Sequence, residues 1–220
     1  MHGDLTRLRA VVFDLDGVIV DSFAVMREAF AIAYREVVGR DEAPFEEYSR
    51  HLGRYFPDIM TDMGLPLAME EPFVRESYRL ASRVRVYDGV PAMLGALAAE
   101  GLRFAVATGK SGVRARSLLD VLGLSPAFAH VVGSDEVARP KPAPDIVLRS
   151  LDLLGVAPEE AAMVGDAVTD LDSARAAGVT AVAALWGGEG DPAVLLDAKP
   201  DVAVATTEEL VAWCRQGARR

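Results

Sequence analysis

The stretch that most constrains this chain is Ala10-Val11-Val12-Phe13-Asp14-Leu15-Asp16-Gly17-Val18. A short apolar run, bounded by Arg9 and Gly17, carries two carboxylates one residue apart. The run is too short for a buried helix and rich in β-branched and aromatic residues, which predicts a fully buried strand. Residues i and i+2 of a strand face the same way, so Asp14 and Asp16 leave its C-terminal end side by side. In open α/β sheets ligands bind at that end. Two like charges that close call for a cation, or for a proton on one of them. Turn chemistry also favours Asp at such a place, so this stretch alone leaves a plain polar turn open.

Beyond Gly17 the chain has two textures. Asp21 or Ser22 can cap a helix whose apolar positions Val25, Met26, Ala29, Phe30, Ala33, Tyr34 and Val37 recur at helical spacing, with Gly39 ending it. Prolines 44, 57, 66 and 72 then punctuate short helix-like runs at 44–52, 57–63 and 70–84. No strand pattern appears there, and the block is too long for a single crossover. It reads as an inserted α-helical cap domain, residues 20–85, between the two parts of a core domain, residues 1–19 and 86–220. From Tyr87 onward strands alternate with helices. Strands are expected at 103–107, 131–133, 161–165, 179–185 and 202–204, and helices at 90–100, 112–122, 143–154, 168–177 and 207–216. That alternation means βαβ units: an α/β fold with a Rossmann-like parallel sheet and helices on both faces.

Charge and cysteine content narrow the partners. The net charge is −10, without the basic footprint of a nucleic-acid binder, so nucleic acid is not expected. No apolar run reaches the ~18 residues of a membrane span, and Met1-His2-Gly3-Asp4 is not a basic-then-apolar leader. Cys214 is the only cysteine. It reads as a packing residue on the last helix, and a reducing cytoplasm is the simplest compartment. No coiled coil or exposed apolar stripe stands out, so a monomer or a homodimer is expected. Only Lys110, Lys141 and Lys199 are lysines.

Three further polar clusters fall at strand ends. Thr108-Gly109 offers a hydroxyl and a backbone N–H ahead of a helix, an arrangement suited to an oxyanion. Arg139-Pro140-Lys141-Pro142 holds a lysine in a stiff, extended segment, where its charge can offset clustered anions. Gly165-Asp166-Ala167-Val168-Thr169-Asp170 adds two carboxylates across a helix start, a place that capping alone also favours. Four such clusters on one sheet edge suit a hard divalent cation such as Mg²⁺ with a phosphate beside it.

The order Asp14-x-Asp16-Gly17, Thr108, Lys141, Gly165-Asp166-xxx-Asp170 resembles the haloacid dehalogenase-like superfamily over roughly residues 9–215. The helical insert looks like that family's type-one cap, as in phosphoglycolate phosphatases and β-phosphoglucomutases. The resemblance implies that Asp14 attacks phosphorus and forms an aspartyl-phosphate, and that Asp16 protonates the leaving oxygen and then activates water. It implies that Thr108 and the Gly109 N–H bind phosphoryl oxygens and that Lys141 neutralises charge. Asp166, Asp14 and the Asp16 carbonyl would ligate Mg²⁺, with Asp170 behind them. Haloacid dehalogenases lack the second aspartate, and phosphonate-cleaving members need a cap lysine, which residues 17–88 do not contain. β-Phosphoglucomutase-like members carry a histidine where this chain has Met26. A phosphatase is therefore expected, acting on a small phosphate ester.

The run Phe45 to Met60 and the segment Ala107-Thr108-Gly109-Lys110-Ser111-Gly112 look like phosphatases associated with 3-amino-5-hydroxybenzoate synthesis in ansamycin antibiotic pathways. That resemblance implies a sugar or aminosugar phosphate. Arg54 is the leading candidate substrate contact, followed by His51, Tyr55 and Lys110. A housekeeping phosphoglycolate phosphatase, a phosphotransferase and a catalytically silent binding module are the alternatives. Two motifs are decoys. Gly109-Lys110-Ser111 lacks the earlier P-loop glycine, since position 104 is Phe104, and Gly188-x-Gly190-x-x-Ala193 has no full βαβ unit after it and places Pro192 at its would-be helix start.

Overall fold

The computed structural model describes residues 8–187 and 191–218. Met1-His2-Gly3-Asp4 and positions 188–190 of the decoy fingerprint lie outside the described residues. Strand β1 is Ala10–Phe13, with all four residues buried. Two-residue strands β2 (Val20–Asp21) and β3 (Arg85–Val86) bracket the helical block. That block holds α1 (Phe23–Val38), α2 (Phe45–Ser49), α3 (Phe56–Asp62) and α4 (Glu70–Arg79). After β3 come α5 (Val90–Ala99), β4 (Arg103–Thr108), α6 (Gly112–Val121) and β5 (His130–Gly133). Next are α7 (Asp145–Leu154), β6 (Ala161–Gly165), α8 (Val168–Ala177) and β7 (Thr180–Ala184). The chain ends through α9 (Pro192–Asp197), β8 (Val202–Val204) and α10 (Thr207–Ala218).

Six strands form one parallel sheet in the order β5-β4-β1-β6-β7-β8. Alternation along β1 splits the core. Val11 and Phe13 join one apolar cluster, with Leu97, Leu210 and Cys214 from α5 and α10. Ala10 and Val12 join the other, with Ile146 and Leu171 from α7 and α8. Helices thus cover both faces, as expected of a parallel sheet. Cys214 is buried, and burial pushes its thiol up to about 12, in keeping with a packing residue. No described helix is long and apolar enough to cross a membrane.

In the helical block, Val25, Met26, Ala29, Phe30, Ala33 and Tyr34 of α1 are buried, and Gly39 ends the helix at φ 76°. Phe30 stacks on Tyr48 with ring centroids 4.6 Å apart, and Phe56 stacks on Phe73 at 4.3 Å. Each such buried ring contributes roughly 1.5–3 kcal/mol by burial. These residues belong to the same apolar cluster as Phe13 and Val106 of the sheet, so block and sheet share one core.

The two connections are strand-like: β2 and β3 pair antiparallel, Val20 with Val86 and Asp21 with Arg85. The segment after β7 holds both. Trp186 Nε1 donates to the Val18 carbonyl at 3.0 Å, and Tyr87 Oη donates to the Gly187 carbonyl at 2.9 Å. A Cβ on Gly187 would sit 2.3 Å from the Gly17 carbonyl oxygen, so only glycine admits that approach.

Two sequence expectations are corrected. Helix 143–154 begins at Asp145, because Pro140, Pro142 and Pro144 hold the chain outside the helix until then. Helix α9 is an addition, since its six residues are too few to show helical periodicity in the sequence. Pro192 stands at the first helical position, where its missing N–H costs nothing, and Asp191 caps the helix by accepting from the Ala193 N–H at 2.9 Å.

Candidate active site

The sheet order reverses at β1: the chain's next sheet strand, β4, lies on one side and β6 on the other. The register sets Phe13 level with Val106 and Val164, so the segments leaving β1, β4 and β6 converge. This is the crevice where open α/β sheets bind ligands.

Asp14 stays tied to the sheet through its backbone N–H, which donates to the Val164 carbonyl at 2.9 Å. Its buried carboxylate accepts from Lys141 Nζ at 2.8 Å. The same ammonium donates to Asp170 Oδ1 at 2.6 Å, and Asp170 Oδ2 accepts from the Ala167 N–H at 3.0 Å. Asp170 thus serves two purposes, capping α8 and fixing the lysine. Burial raises Asp14 to about 7 against the pull of Lys141, with Asp170 and Asp16 adding to the rise. Burial also drives Asp166 well above the ordinary carboxylate range, reinforced by Asp14 and Asp170. Lys141 goes the other way: burial would lower it, but Asp14 and Asp170 outweigh that and raise it.

Carboxylate oxygens of Asp14, Asp166 and Asp170 lie within 4.8 Å of one another. Gly17 makes room for this cluster, since at φ 83° its Cβ would lie 1.9 Å from Asp166 Oδ2. Asp166 has no cationic side chain within ion-pair reach among the described residues, whereas Asp14 and Asp170 share Lys141. A largely buried all-oxygen donor set short of positive charge fits a hard divalent cation such as Mg²⁺.

Asp16 is set apart from that cluster. Its carboxylate pairs with Lys110 Nζ at 3.0 Å and accepts from Ser22 Oγ. Burial alone would raise its pKa, but Lys110 and Ser22 together hold it below the ordinary value. Ser22 stands at the N-cap of α1 without a side-chain capping bond; its hydroxyl is spent on Asp16 instead. Capping statistics point to Ser22 but not to this partner. Lys110, expected as a substrate contact, is buried against Asp16 and lines the same cavity. Thr108 Oγ1 accepts from the Lys110 N–H at 3.2 Å, which folds the Thr108-Gly109 turn over the crevice.

The helical block roofs the site. A Cβ on Gly109 would meet the Gly53 and Arg54 carbonyl oxygens at 2.6 and 2.7 Å. Gly53, at φ 87°, also abuts Thr169 and Ala167. The 53–54 turn therefore rests on the turns after both β4 and β6. The cavity between them is small, about 60 Å³, partly open to solvent, and lined by Asp14, Asp16, Thr108, Gly109 and Asp166 below and by Tyr48, Arg54, Phe56 and Phe73 above. Arg54 lines it, but its guanidinium is held by Asp62 at 2.7 Å and by His51 Nδ1 at 3.3 Å. His51 and Tyr55 are not among the lining residues. Ser22, Gly53 and Arg114 are cavity residues that sequence reasoning missed.

A family profile described as haloacid dehalogenase-like hydrolase matches residues 8–178. The chain is 36% identical over 204 residues to a phosphoglycolate phosphatase from Rhodospirillum rubrum, covering 86% of this chain and 85% of that protein. It resembles the crystal structure of a hydrolase from Pseudomonas syringae, with TM-score 0.82, 23% identity and 94% and 98% of the two chains covered. It also resembles a HAD family hydrolase from Deinococcus radiodurans solved with bound phosphate and sodium, with TM-score 0.74, 25% identity and 96% of each chain covered.

Proposed function

The chain belongs to the haloacid dehalogenase-like hydrolase family and is a phosphatase, and we propose that it hydrolyses a small phosphomonoester through an aspartyl-phosphate on Asp14. The observation that carries this reading is the separation of two neighbouring carboxylates. Asp14 is held by Lys141 beside Asp166, while Asp16 is held by Lys110 and Ser22. The two carboxylates therefore have different electrostatic settings, and a phosphate dianion arriving beside Asp16 raises its pKa toward that of a proton donor, while cations beside Asp14 favour its carboxylate form.

An Asp14 oxygen bonds to phosphorus as the ester P–O bond breaks, and the departing oxygen takes a proton from Asp16. Asp16 then removes a proton from water, whose oxygen bonds to phosphorus, freeing phosphate and regenerating the Asp14 carboxylate. The Thr108 hydroxyl and the Gly109 N–H bind phosphoryl oxygens throughout. Lys141 lowers the repulsion between the Asp14 carboxylate and the phosphate, a requirement when an anion attacks an anion. Asp14, Asp166 and the Asp16 carbonyl would hold Mg²⁺, with Asp170 behind them. Bound there, the ion supplies charge stabilisation and orientation for phosphoryl transfer.

We read residues 20–85 as a cap domain that swings on β2 and β3 over a core of residues 1–19 and 86–220. At ~10–15 Å³ per water, a cavity of about 60 Å³ holds about four to six waters. So small a space calls for a small ester and for a cap that opens to admit it. The relatives' names favour phosphoglycolate. Tyr48 and Phe56, from the run that resembles the ansamycin-associated phosphatases, line the cavity and favour a sugar or aminosugar phosphate as the second reading. Met26 at the cavity wall, where the mutase-like members hold histidine, weighs for hydrolysis over phosphoryl shuttling.

The test is phosphate release, with and without Mg²⁺, from glycolate, sugar, aminosugar and nucleotide phosphates. Asp14→Asn is expected to abolish turnover with the fold intact; full activity in that variant would refute the mechanism. Isomerisation of a sugar phosphate without phosphate release would replace hydrolysis by phosphoryl shuttling.

A further inference from the structure

Arg114, the third residue of α6, is 9% exposed and lines the cavity from the core side. Its Nη2 donates to Ser77 Oγ at 3.0 Å, and its guanidinium carbon stands 5.0 Å from the centre of the Phe73 ring. Its Nε is buried without a hydrogen-bond partner among the described residues. No carboxylate among them forms an ion pair with it, although every other cation at the cavity has one. Lys110 has Asp16 and Arg54 has Asp62. A buried charge left unpaired is costly, and a guanidinium with free donors matches a carboxylate or phosphoryl group in geometry.

The phosphoryl group under attack does not fill this role, because its partners are already assigned at Asp14, Thr108, Gly109 and the Asp166 cation site. We propose that Arg114 reads a second anionic group on the substrate, a carboxylate or second phosphoryl a few bonds from the scissile ester. The inference rests on the phosphatase reading and narrows it: the substrate is a short ester with an acid at its far end. A neutral or amine-bearing end would leave the guanidinium unpaired, and an amine would repel it.

The experiment measures kcat/KM, with Mg²⁺, for four esters of similar size: 2-phosphoglycolate, ethane-1,2-diol bisphosphate, 2-hydroxyethyl phosphate and phosphoethanolamine. One of the two diacids is expected to exceed the hydroxyl ester at least tenfold, and its identity tells carboxylate from phosphoryl. Phosphoethanolamine is expected to be the poorest. Arg114→Met is expected to collapse that preference, chiefly through KM, and Arg114→Lys to restore part of it. A thermal melt checks that both variants fold. Equal kcat/KM for charged and neutral esters in the unmodified enzyme would overturn the inference and leave the phosphatase reading standing. So would equal losses on all four esters in Arg114→Met, which mark a merely structural residue. No phosphate release from any ester would overturn both.

Discussion

Gly109→Ala isolates the contact between roof and floor of the site. Gly109 does not lie in the left-handed backbone region, so alanine fits its own conformation and keeps the backbone N–H. What alanine cannot keep is the docking of the 53–54 turn. Its Cβ would meet the Gly53 and Arg54 carbonyl oxygens at 2.6 and 2.7 Å and the Gly53 carbonyl carbon at 2.8 Å. These are backbone atoms, and Gly53 is itself pressed against Thr169 on its other side, so the turn has little room to retreat. Overpacking of this kind costs about 1–3 kcal/mol. At about 1.4 kcal/mol per tenfold, that is a loss of about fivefold to 150-fold in the closed-to-open ratio of the roof, and up to that factor in kcat/KM. The melting temperature should change little, because the clash is confined to the 53–54 turn and spares the core that block and sheet share. Steady-state phosphate release on the best substrate, with a melt alongside, measures both. An unchanged kcat/KM would refute the view that the closed roof is the working state, and a large fall in melting temperature would refute the local nature of the contact.

Three other outcomes are expected. Lys141→Met leaves Asp14 and Asp170 buried without their cation, at a cost of about 3–5 kcal/mol. At this chain length that is a fall of about 6–20 °C in melting temperature, partly recovered in acid as Asp14 protonates; an unchanged melt would contradict it. With Asp14 raised to about 7, the folded protein without cation holds protons that the unfolded chain releases, so its stability falls as pH rises from the ordinary carboxylate range through about 7. Mg²⁺ takes the place of those protons, so thermal stabilisation by Mg²⁺ should be larger at pH 8 than at pH 5, approaching about 2.7 kcal/mol at a hundredfold excess over Kd; a larger shift at pH 5 would refute the carboxylate cation site. Lys110→Met removes the cation that holds Asp16 low, so burial dominates and its pKa climbs. The alkaline limb of the kcat profile, set by protonated Asp16 in the substrate complex, should move to higher pH, and an unmoved or lowered limb would remove Asp16 from that role.

The alternation of apolar runs, helical spacing and glycine stops carries most of the architecture in one dimension. β1, the cap helices and the βαβ succession can be read from local pattern because strand and helix have different periods and glycine takes φ 76° after α1 as alanine would not easily do. Asp14, Asp16, Thr108, Lys141, Asp166 and Asp170 are legible for the same reason: each lies beyond a strand, and a parallel sheet gathers strand ends on one edge. Helix α9 is hidden because its six residues are too few for a helical period to show.

Pairing is what the sequence left undecided. That Lys141 bridges Asp14 and Asp170, while Lys110 and Ser22 take Asp16, depends on distances between residues as far apart as 14 and 141. No local periodicity encodes such distances. The same holds for Gly53 on Gly109 and for Arg114, one arginine among many in the chain until folding buries it without a carboxylate. The sequence determined which chemical groups reach the sheet edge. Only the packed structure decided which charges neutralise one another there and which one is left without a carboxylate, because burial and partnership are properties of neighbours in space.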